Sequence, residues 1–253
     1  MRKEIHIFFT ALMFYTRIPC PAWVTHHPDY LNKATRYFPL MGWITGGAAA
    51  LVYIGAGYLF HTPIAVLLAM ITGIFVTGAF HEDGFADVCD GFGGGWTKER
   101  ILDIMKDSRT GAYGTIGMVL ILLLKYICLV SINSYEIPLV LLAAHSSSRL
   151  CAVLLMTASS YVRENEDAKA KPLAKSITAA ELIPALVLGL LPLALFGTPA
   201  VLMLLVAPLL GTVYLRWYFH KWIGGYTGDC LGATQQVTEV LFYLSFIALW
   251  KFS

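Results

Sequence analysis

The sequence is poor in charge. Only 13% of its 253 residues are Asp, Glu, Lys or Arg, whereas 57% are hydrophobic. A soluble domain of ordinary composition has about a quarter of its residues charged. The net charge of +2 also lacks the strong basic excess that marks a nucleic-acid-binding protein. The composition therefore argues against a soluble domain and against a nucleic-acid partner.

Paired cysteines are missing as well. The five cysteines are scattered along the chain, and no C-x-x-C pair occurs. This argues against both a disulfide framework and a zinc site. We interpret Cys128 and Cys151 as packing residues, because a free cysteine behaves as a small hydrophobic side chain.

Long apolar runs, in contrast, are abundant, and roughly 20 apolar residues suffice to cross a bilayer. We predict six or seven transmembrane helices, at about 37–60, 63–80, 111–132, 137–160, 181–196, 200–219 and 231–251. Residues 4–17 are too short to span and have basic residues at both ends, which predicts an interfacial or re-entrant helix. The predicted fold is all-α: a polytopic membrane helix bundle forming a single integral membrane domain over residues 1–253.

The connections between the apolar runs are of two kinds. Those at 61–62, 133–136 and 197–199 carry no Lys or Arg, whereas 81–110, 160–180 and 216–230 hold most of the basic residues. The positive-inside rule places the basic connections in the cytoplasm. We therefore predict that the polar loop at about 81–110 faces the cytoplasm.

Part of that loop, GWTKERILDIMKDSRTG, has the pattern of an amphipathic helix on the cytoplasmic side. Thr97 is the predicted N-cap, and Gly111 is the predicted stop. Ile101, Leu102 and Met105 would share its apolar face.

The stretch HEDGFADVCDG at 81–91 concentrates acidic residues. If it continues the preceding helix, Asp83, Asp87 and Asp90 fall within about 60° of one face, and Glu82 points elsewhere. Carboxylates this close raise one another's pKa unless a cation neutralises them. Mg²⁺ suits such a set, because it takes a few carboxylates and keeps positions for water and phosphate oxygens. The alternative is a solvated helix end, neutralised by Lys98, Arg100 and Lys106.

A second polar stretch, KDSRTGAYG, precedes the next apolar run. Lys106 and Arg109 suit phosphate, Arg especially through its bidentate fork. Ser108 and Gly111 could add a hydroxyl and a close backbone approach, and Asp107 is a further catalytic candidate. The equally weighted alternative is that Lys106 and Arg109 are only positive-inside anchors.

Two features remain inside or beside the spans. Arg149 lies within an apolar run, where a cation usually faces a polar cavity or a partner; Lys125 is a weaker case of the same kind. The Gly-rich stretch GGYTGDCLGA contains Gly225, Gly228 and Asp229 before the last run. Such a turn at a helix N-terminus can bind phosphate through backbone N–H groups, although helix packing explains glycines equally well. We predict that Glu239 faces the cytoplasmic side and that no span carries a central acid.

The three motifs HEDGFADVCDG, IMKDSRTGAYG and GGYTGDCLGA, in this order between apolar runs, resemble those of the cobalamin synthase family, the adenosylcobinamide-GDP ribazoletransferases. The stretches FYTRIPCP and FPLMG extend the resemblance over nearly the whole chain. The resemblance implies an inner-membrane, Mg²⁺-requiring enzyme that joins adenosylcobinamide-GDP to α-ribazole or its 5′-phosphate and releases GMP. The expected partners are these substrates and the lipid bilayer; a homo-oligomer is left open.

Carried over by motif, the resemblance implies roles for residues of all three stretches. It implies that Asp83, Asp87 and Asp90 are the metal-centred acids. The second motif is matched by Lys106, Asp107, Ser108 and Gly111, and the third by Gly225, Gly228, Asp229 and Gly232. One departure is Gln236, where the family often has an acid.

Three alternatives compete with this function. Asp87 to Gly91 has the D-x-x-D-G core of the CDP-alcohol phosphotransferases, but Gly93–Gly95 stand where an Ala-Arg pair should follow. A divalent-cation transporter would also need acids, but near the middle of the bilayer and on broken helices. A purely structural membrane subunit would not need the aspartate face.

Overall fold

A computed structural model describes residues 2–25, 27–163 and 177–250. Apart from a bridge between Tyr161 and Tyr226, the regular elements of these residues are helices. The α-helices are α1 (Arg2–Tyr15), α2 (Pro28–Ala34), α3 (Phe38–Gly57), α4 (Thr62–Thr77), α5 (Phe80–Gly94), α6 (Lys98–Ile104), α7 (Ala112–Val130), α8 (Ile137–Thr157), α9 (Ala179–Leu190), α10 (Val206–Ile223) and α11 (Gly228–Trp250). Short 3₁₀ turns cover Thr35–Tyr37, Leu191–Phe196 and Pro199–Leu205.

The predicted all-α membrane bundle is confirmed. Within the described residues, five helical segments are long and apolar enough to cross a membrane, and α4 taken together with α5 would add a sixth. The five are Asp29–Gly57, Ala112–Val130, Ile137–Thr157, Ala179–Phe196 and Pro199–Ile223. The predicted span at 231–251 corresponds to α11, which is 23 residues long but has a polar first half and does not reach that apolar standard.

α8 and α11 form the centre of the bundle. In α8, 83% of the apolar window is buried, against 22% to 33% in the other four candidate spans. α3 packs closely on α8 at Gly42, where an added Cβ would collide with the backbone of His145. α11 contacts α5, α7, α8 and α10. The polar side chains of α11 therefore lie between helices rather than against lipid.

A sharp bend separates α4 from α5. The two helices meet at 88°, with Gly78 at φ 66° and Ala79 at φ 57°. Positive φ is uncommon for a residue with a Cβ. The Arg17 side chain packs against Gly78, and the Arg17 N–H donates to the Val76 carbonyl at 2.8 Å. The condition that 81–91 continues the preceding helix is therefore not met: the acids lie on a helix of their own, which the FYTRIPCP stretch helps to hold at the bend.

The predicted loop at 81–110 is largely helical. Thr97 caps α6 by accepting the Arg100 N–H at 3.3 Å, as predicted. The buried residues Ile101 and Met105 pack in a core with Phe219 of α10, so α6 is anchored on protein. α6 ends at Ile104, and Gly111 is the N-cap of α7. The prediction that Gly111 ends the amphipathic helix is therefore wrong, because the chain turns between the two helices.

Candidate active site

The three predicted metal-binding aspartates lie along α5 at increasing depth. Asp83 is exposed, Asp87 is half-buried, and Asp90 is buried. α5 turns away from the apolar α4 by 88°, and the three aspartates lie beyond this bend. The helical spacing of the three aspartates is thus confirmed, but their surroundings differ.

Asp229 joins this set from the third motif. α5 packs on the first turn of α11 at Gly84, where a Cβ would lie 3.0 Å from the Asp229 Cα. Arg163 Nη2 donates to Asp229 Oδ2 at 2.8 Å and to the Met105 carbonyl at 3.2 Å. We call Asp83, Asp87 and Asp229 the acidic face; Arg163 is the cation that pairs with it. Sequence reasoning placed Asp229 with the phosphate-binding residues and counted Arg163 only as a topological charge.

Burial and neighbouring negative charge both act on the pKa of Asp87. Burial, followed by the negative charges of Asp229 and Asp83, raises the pKa of Asp87 to about 7, although Arg163 acts in the opposite direction. A carboxylate whose pKa is raised in this way is stabilised by a proton or by a metal cation. The acidic face therefore has the electrostatics of a cation site.

Asp90, unlike Asp83 and Asp87, binds backbone N–H groups of α7. Its carboxylate accepts the Gly111 N–H at 2.6 Å and the Gly114 N–H at 2.8 Å. A Cβ at either glycine would collide with this carboxylate. Asp90 thus satisfies two of the free N–H groups at the start of α7, which Gly111 cannot cap itself. This contact joins the first motif to the second and gives both Asp90 oxygens a backbone partner.

The second motif borders an open cleft of about 640 Å³, and such a volume suits a small-molecule site. Asp90, Asp107, Arg109 and Gly111 are among the residues that line it. Arg109 Nη2 and Asp107 Oδ2 are 2.7 Å apart, and the hydrogen bonds from Arg109 lower the pKa of Asp107 to about 2. Lys106 and Ser108 are exposed but do not line the cleft.

Gly225 of the third motif lies at a packing contact. Gly225 leaves no room for a Cβ beside the Ser160 carbonyl, which accepts the Tyr226 N–H at 3.0 Å. Gly228 begins α11. The packing alternative therefore accounts for Gly225, and a phosphate contact at Gly225 or Gly228 stays a prediction.

Arg149 lies far into the bundle and is not brought to the acidic face. It is 1% exposed, and its Nη1 donates to the His145 carbonyl at 2.8 Å. Near it, Lys125 Nζ is 2.9 Å from Glu239 Oε1, which also accepts the Tyr243 hydroxyl at 3.0 Å. We call this set the buried polar cluster: Glu82, Lys125, His145, Arg149, Gln235, Gln236, Glu239 and Tyr243.

Glu239 is buried midway along α11, a helix that does not reach the apolar standard of a span. The side of the membrane that Glu239 faces stays a prediction. Glu82 points away from the acidic face as predicted, and its Oε1 accepts the Gln236 Nε2–H at 2.9 Å. Gln236, where the family often has an acid, therefore serves as a neutral partner for Glu82. Lys125 was the feature of the sequence that could have predicted a buried Glu239, because a cation inside an apolar run needs an acidic partner.

Among the described residues, no group of three or more His, Cys, Asp or Glu side chains converges closely enough to enclose a metal ion. This does not disqualify Mg²⁺, which is usually held by one or two carboxylates together with waters and substrate phosphates. Asp83 and Asp87, four residues apart on one helix face, supply donors of that kind.

Together these features define a polytopic α-helical membrane protein with a carboxylate-rich site outside its apolar spans. The chain belongs to the cobalamin-5-phosphate synthase family, whose profile matches residues 7–247. The resemblance seen in the sequence is thereby confirmed.

Curated relatives extend over almost the entire chain. It is 45% identical over 251 residues to the adenosylcobinamide-GDP ribazoletransferase of Shewanella frigidimarina, covering 98% of this chain and 96% of the relative. The protein of the same name from Shewanella woodyi is 46% identical, with 96% of each chain covered. That from Leptospira interrogans is 40% identical, with 99% of this chain and 98% of the relative covered. No solved structure gives a significant match.

Proposed function

We propose that this protein joins adenosylcobinamide-GDP to α-ribazole or α-ribazole 5′-phosphate, releasing GMP and forming adenosylcobalamin or its 5′-phosphate. Family membership over residues 7–247 and the shared name of the near-full-length relatives support this reaction. The structural observation that carries it is the acidic face, since a reaction at a pyrophosphate needs a site for the cation that neutralises phosphate charge.

Mg²⁺ is the proposed cofactor, and Asp83 and Asp87 would hold it, with Asp229 beside them. When bound, the ion would neutralise the pyrophosphate and stabilise the leaving GMP. Asp90, predicted as a third ligand, is better placed to position the start of α7. This leaves two ligand carboxylates on α5, in keeping with the ordinary preference of Mg²⁺.

The side chains of this region divide the remaining tasks of the reaction. The ribazole hydroxyl attacks the phosphorus on the cobinamide side; the new O–P bond forms as the bond to GMP breaks. A carboxylate of the acidic face that is not engaged by the cation accepts the hydroxyl proton. Arg109, at the open cleft, binds phosphate oxygens through its planar fork. Lys106 and Ser108 are exposed and keep their predicted substrate roles, whereas Arg149 is buried in the polar cluster and is not assigned one.

The proposed location is the inner membrane, with the acidic face towards the cytoplasm. The short connections after α3 and α7, and between Phe196 and Pro199, contain no Lys or Arg, whereas the basic residues flank α5, α6 and the end of α10. This distribution favours the cytoplasm for the second set. Cytoplasmic exposure would give the site access to a nucleotide-linked substrate and to Mg²⁺.

One assay tests this function. The purified protein in lipid is supplied with Mg²⁺, adenosylcobinamide-GDP and α-ribazole 5′-phosphate, and GMP and cobamide are quantified. We expect equal amounts of both products, and none when Mg²⁺ is chelated. A parallel reaction with a CDP-linked lipid and an alcohol should release no CMP. Folded protein that yields CMP but no cobamide would favour the lipid phosphotransferase instead.

A further inference from the structure

The buried polar cluster surrounds a small cavity between α4, α5, α7, α8 and α11. Its volume is about 30 Å³. A cavity must offer roughly 10–15 Å³ of fillable space to hold one water, so this cavity is large enough for water. The polar walls include Glu82, Lys125, Arg149 and Glu239, and the apolar wall includes Gly73.

Several polar atoms around this cavity have no partner. In the described part of the chain, seven buried side-chain nitrogen or oxygen atoms lack a hydrogen bond, and four belong to residues that line this one cavity. These four atoms are His81 Nε2, Glu82 Oε2, Arg149 Nε and Gln236 Oε1. A buried polar group without a partner destabilises the fold, because it has lost its hydrogen bonds to water. Their concentration at one cavity therefore indicates a ligand that satisfies them together.

The chemistry of these atoms selects the ligand. Glu82 Oε2 and Gln236 Oε1 accept hydrogen bonds, Arg149 Nε donates one, and His81 Nε2 can do either. A water molecule donates two hydrogen bonds and accepts two, which matches this set. A metal cation would face Arg149 and Lys125, an anion would face Glu82 and Glu239, and an apolar molecule would leave all four atoms unsatisfied.

We propose that this cavity binds one or two water molecules, which bridge Glu82 and Gln236 to Arg149 and His81. Such water ties the first turn of α5 to α8, while the hydrogen bond from Gln236 to Glu82 ties it to α11. The inference stands independently of the proposed reaction, because it rests on hydrogen-bonding capacity inside the bundle.

The first test compares two substitutions of equal shape at Gly73. A Cβ there would have only ordinary contacts, 3.7 Å from His145 Cε1 and 3.8 Å from Thr45 Cγ2. Gly73→Val would displace water without replacing its hydrogen bonds, whereas Gly73→Thr brings a hydroxyl in its place. We expect the Tm of Gly73→Val in lipid to lie at least about 4 °C below that of Gly73→Thr, given the cost of unsatisfied polar groups.

The matched control is the same pair at Gly47 of α3, where an added Cβ would meet nothing within 4 Å. Gly47→Val and Gly47→Thr report the intrinsic difference between the two side chains, which is subtracted. A corrected Tm of Gly73→Val equal to or above that of Gly73→Thr would overturn the proposal, because filling a dry cavity with apolar atoms stabilises a protein.

A second test needs no substitution and covers the case in which the variants fail to fold. An X-ray pulse splits bound water into hydroxyl radicals, and these radicals label the side chains next to that water. In ¹⁸O-water we expect labelling of Tyr243, which is 0% exposed and lines the cavity. Phe242, which is also 0% exposed and belongs to the same core as Tyr243 but does not line the cavity, is the control. Equal labelling of Tyr243 and Phe242, after correction for intrinsic reactivity, would overturn the proposal.

Discussion

The acidic face and the buried polar cluster are neighbouring groups of charged residues that differ in how their charges are matched. In the cluster, Glu82 and Glu239 lie with Lys125 and Arg149, two charges of each sign. On the acidic face, the described residues are three carboxylates and the guanidinium of Arg163. The cluster can thus satisfy its own charges, whereas the described residues of the face carry an excess of negative charge.

This difference separates a structural group from a binding site. Buried charges persist in a fold only when they are paired and hydrogen-bonded, and Glu239 has three polar partners at short distance, in Lys125, Gln235 and Tyr243. Carboxylates that outnumber their cations favour taking up a proton or a metal. α5 contributes to both groups, because consecutive residues of a helix point about 100° apart: Glu82 faces inward and Asp83 outward.

The largest expected effect concerns stability and the matched charges. Glu239→Gln leaves Lys125 buried with a neutral partner, and breaking a buried pair in this way costs about 3–5 kcal/mol. We expect a clear loss of Tm in lipid for Glu239→Gln and partial recovery in Lys125→Met/Glu239→Gln. If the single variant keeps the wild-type Tm, the buried polar cluster does not stabilise the fold.

The next effect concerns activity and the unmatched charges. Asp83→Asn and Asp87→Asn remove donors from the proposed Mg²⁺ site while relieving repulsion. We expect at least about a 100-fold loss of turnover, since even outer-shell partners of a metal contribute 10- to 100-fold, with Tm unchanged or raised. Turnover is measured across a Mg²⁺ titration. Glu99→Gln, an exposed charge on α6, is the control and should keep wild-type turnover.

A substitution of Asp90 tests whether this residue is structural or is a metal ligand. Asp90→Asn keeps one acceptor for the N–H groups of Gly111 and Gly114 and loses the other, which should cost about 0.5–2 kcal/mol as in the loss of a helix cap. We expect a lower Tm with an unchanged Mg²⁺ requirement. A wild-type Tm combined with a strongly raised Mg²⁺ requirement would instead make Asp90 a metal ligand.

The smallest effect is a pH dependence confined to the acidic face. Burial and the charges of Asp229 and Asp83 raise the pKa of Asp87 to about 7, so protons compete with Mg²⁺ as the pH falls through 7. The Mg²⁺ concentration for half-maximal turnover should rise about tenfold from pH 8 to pH 6. Asp107, with a pKa of about 2, stays ionised and cannot produce this change. A Mg²⁺ requirement independent of pH would contradict the assignment to Asp87.

Several features could be predicted from local pattern alone. The apolar runs indicated the bundle, because their length matches the bilayer. Thr97 was recognisable as a cap, and the spacing of Asp83, Asp87 and Asp90 placed them on one helix face. The motifs indicated the family. Each of these features depends on residues close in sequence, so the order of residues is enough to predict it.

Other features depend on contacts between distant segments. The bend before α5 involves Arg17, some sixty residues earlier in the chain, and Asp90 meets Gly111 and Gly114 only through the packing of α5 on α7. Asp229 and Arg163 reach the acidic face because Gly84 allows α11 to approach α5 closely. No local spacing reports such approaches.

The sequence by itself determined an all-α membrane bundle of this family with an aspartate helix, because hydrophobic length and helical period act locally. Only the tertiary structure decided which charges are matched. It paired Glu239 with Lys125, gave Asp90 to the start of α7 and added Asp229 to Asp83 and Asp87. Charge pairing acts through space over a few ångströms, and the fold brings those residues within that distance.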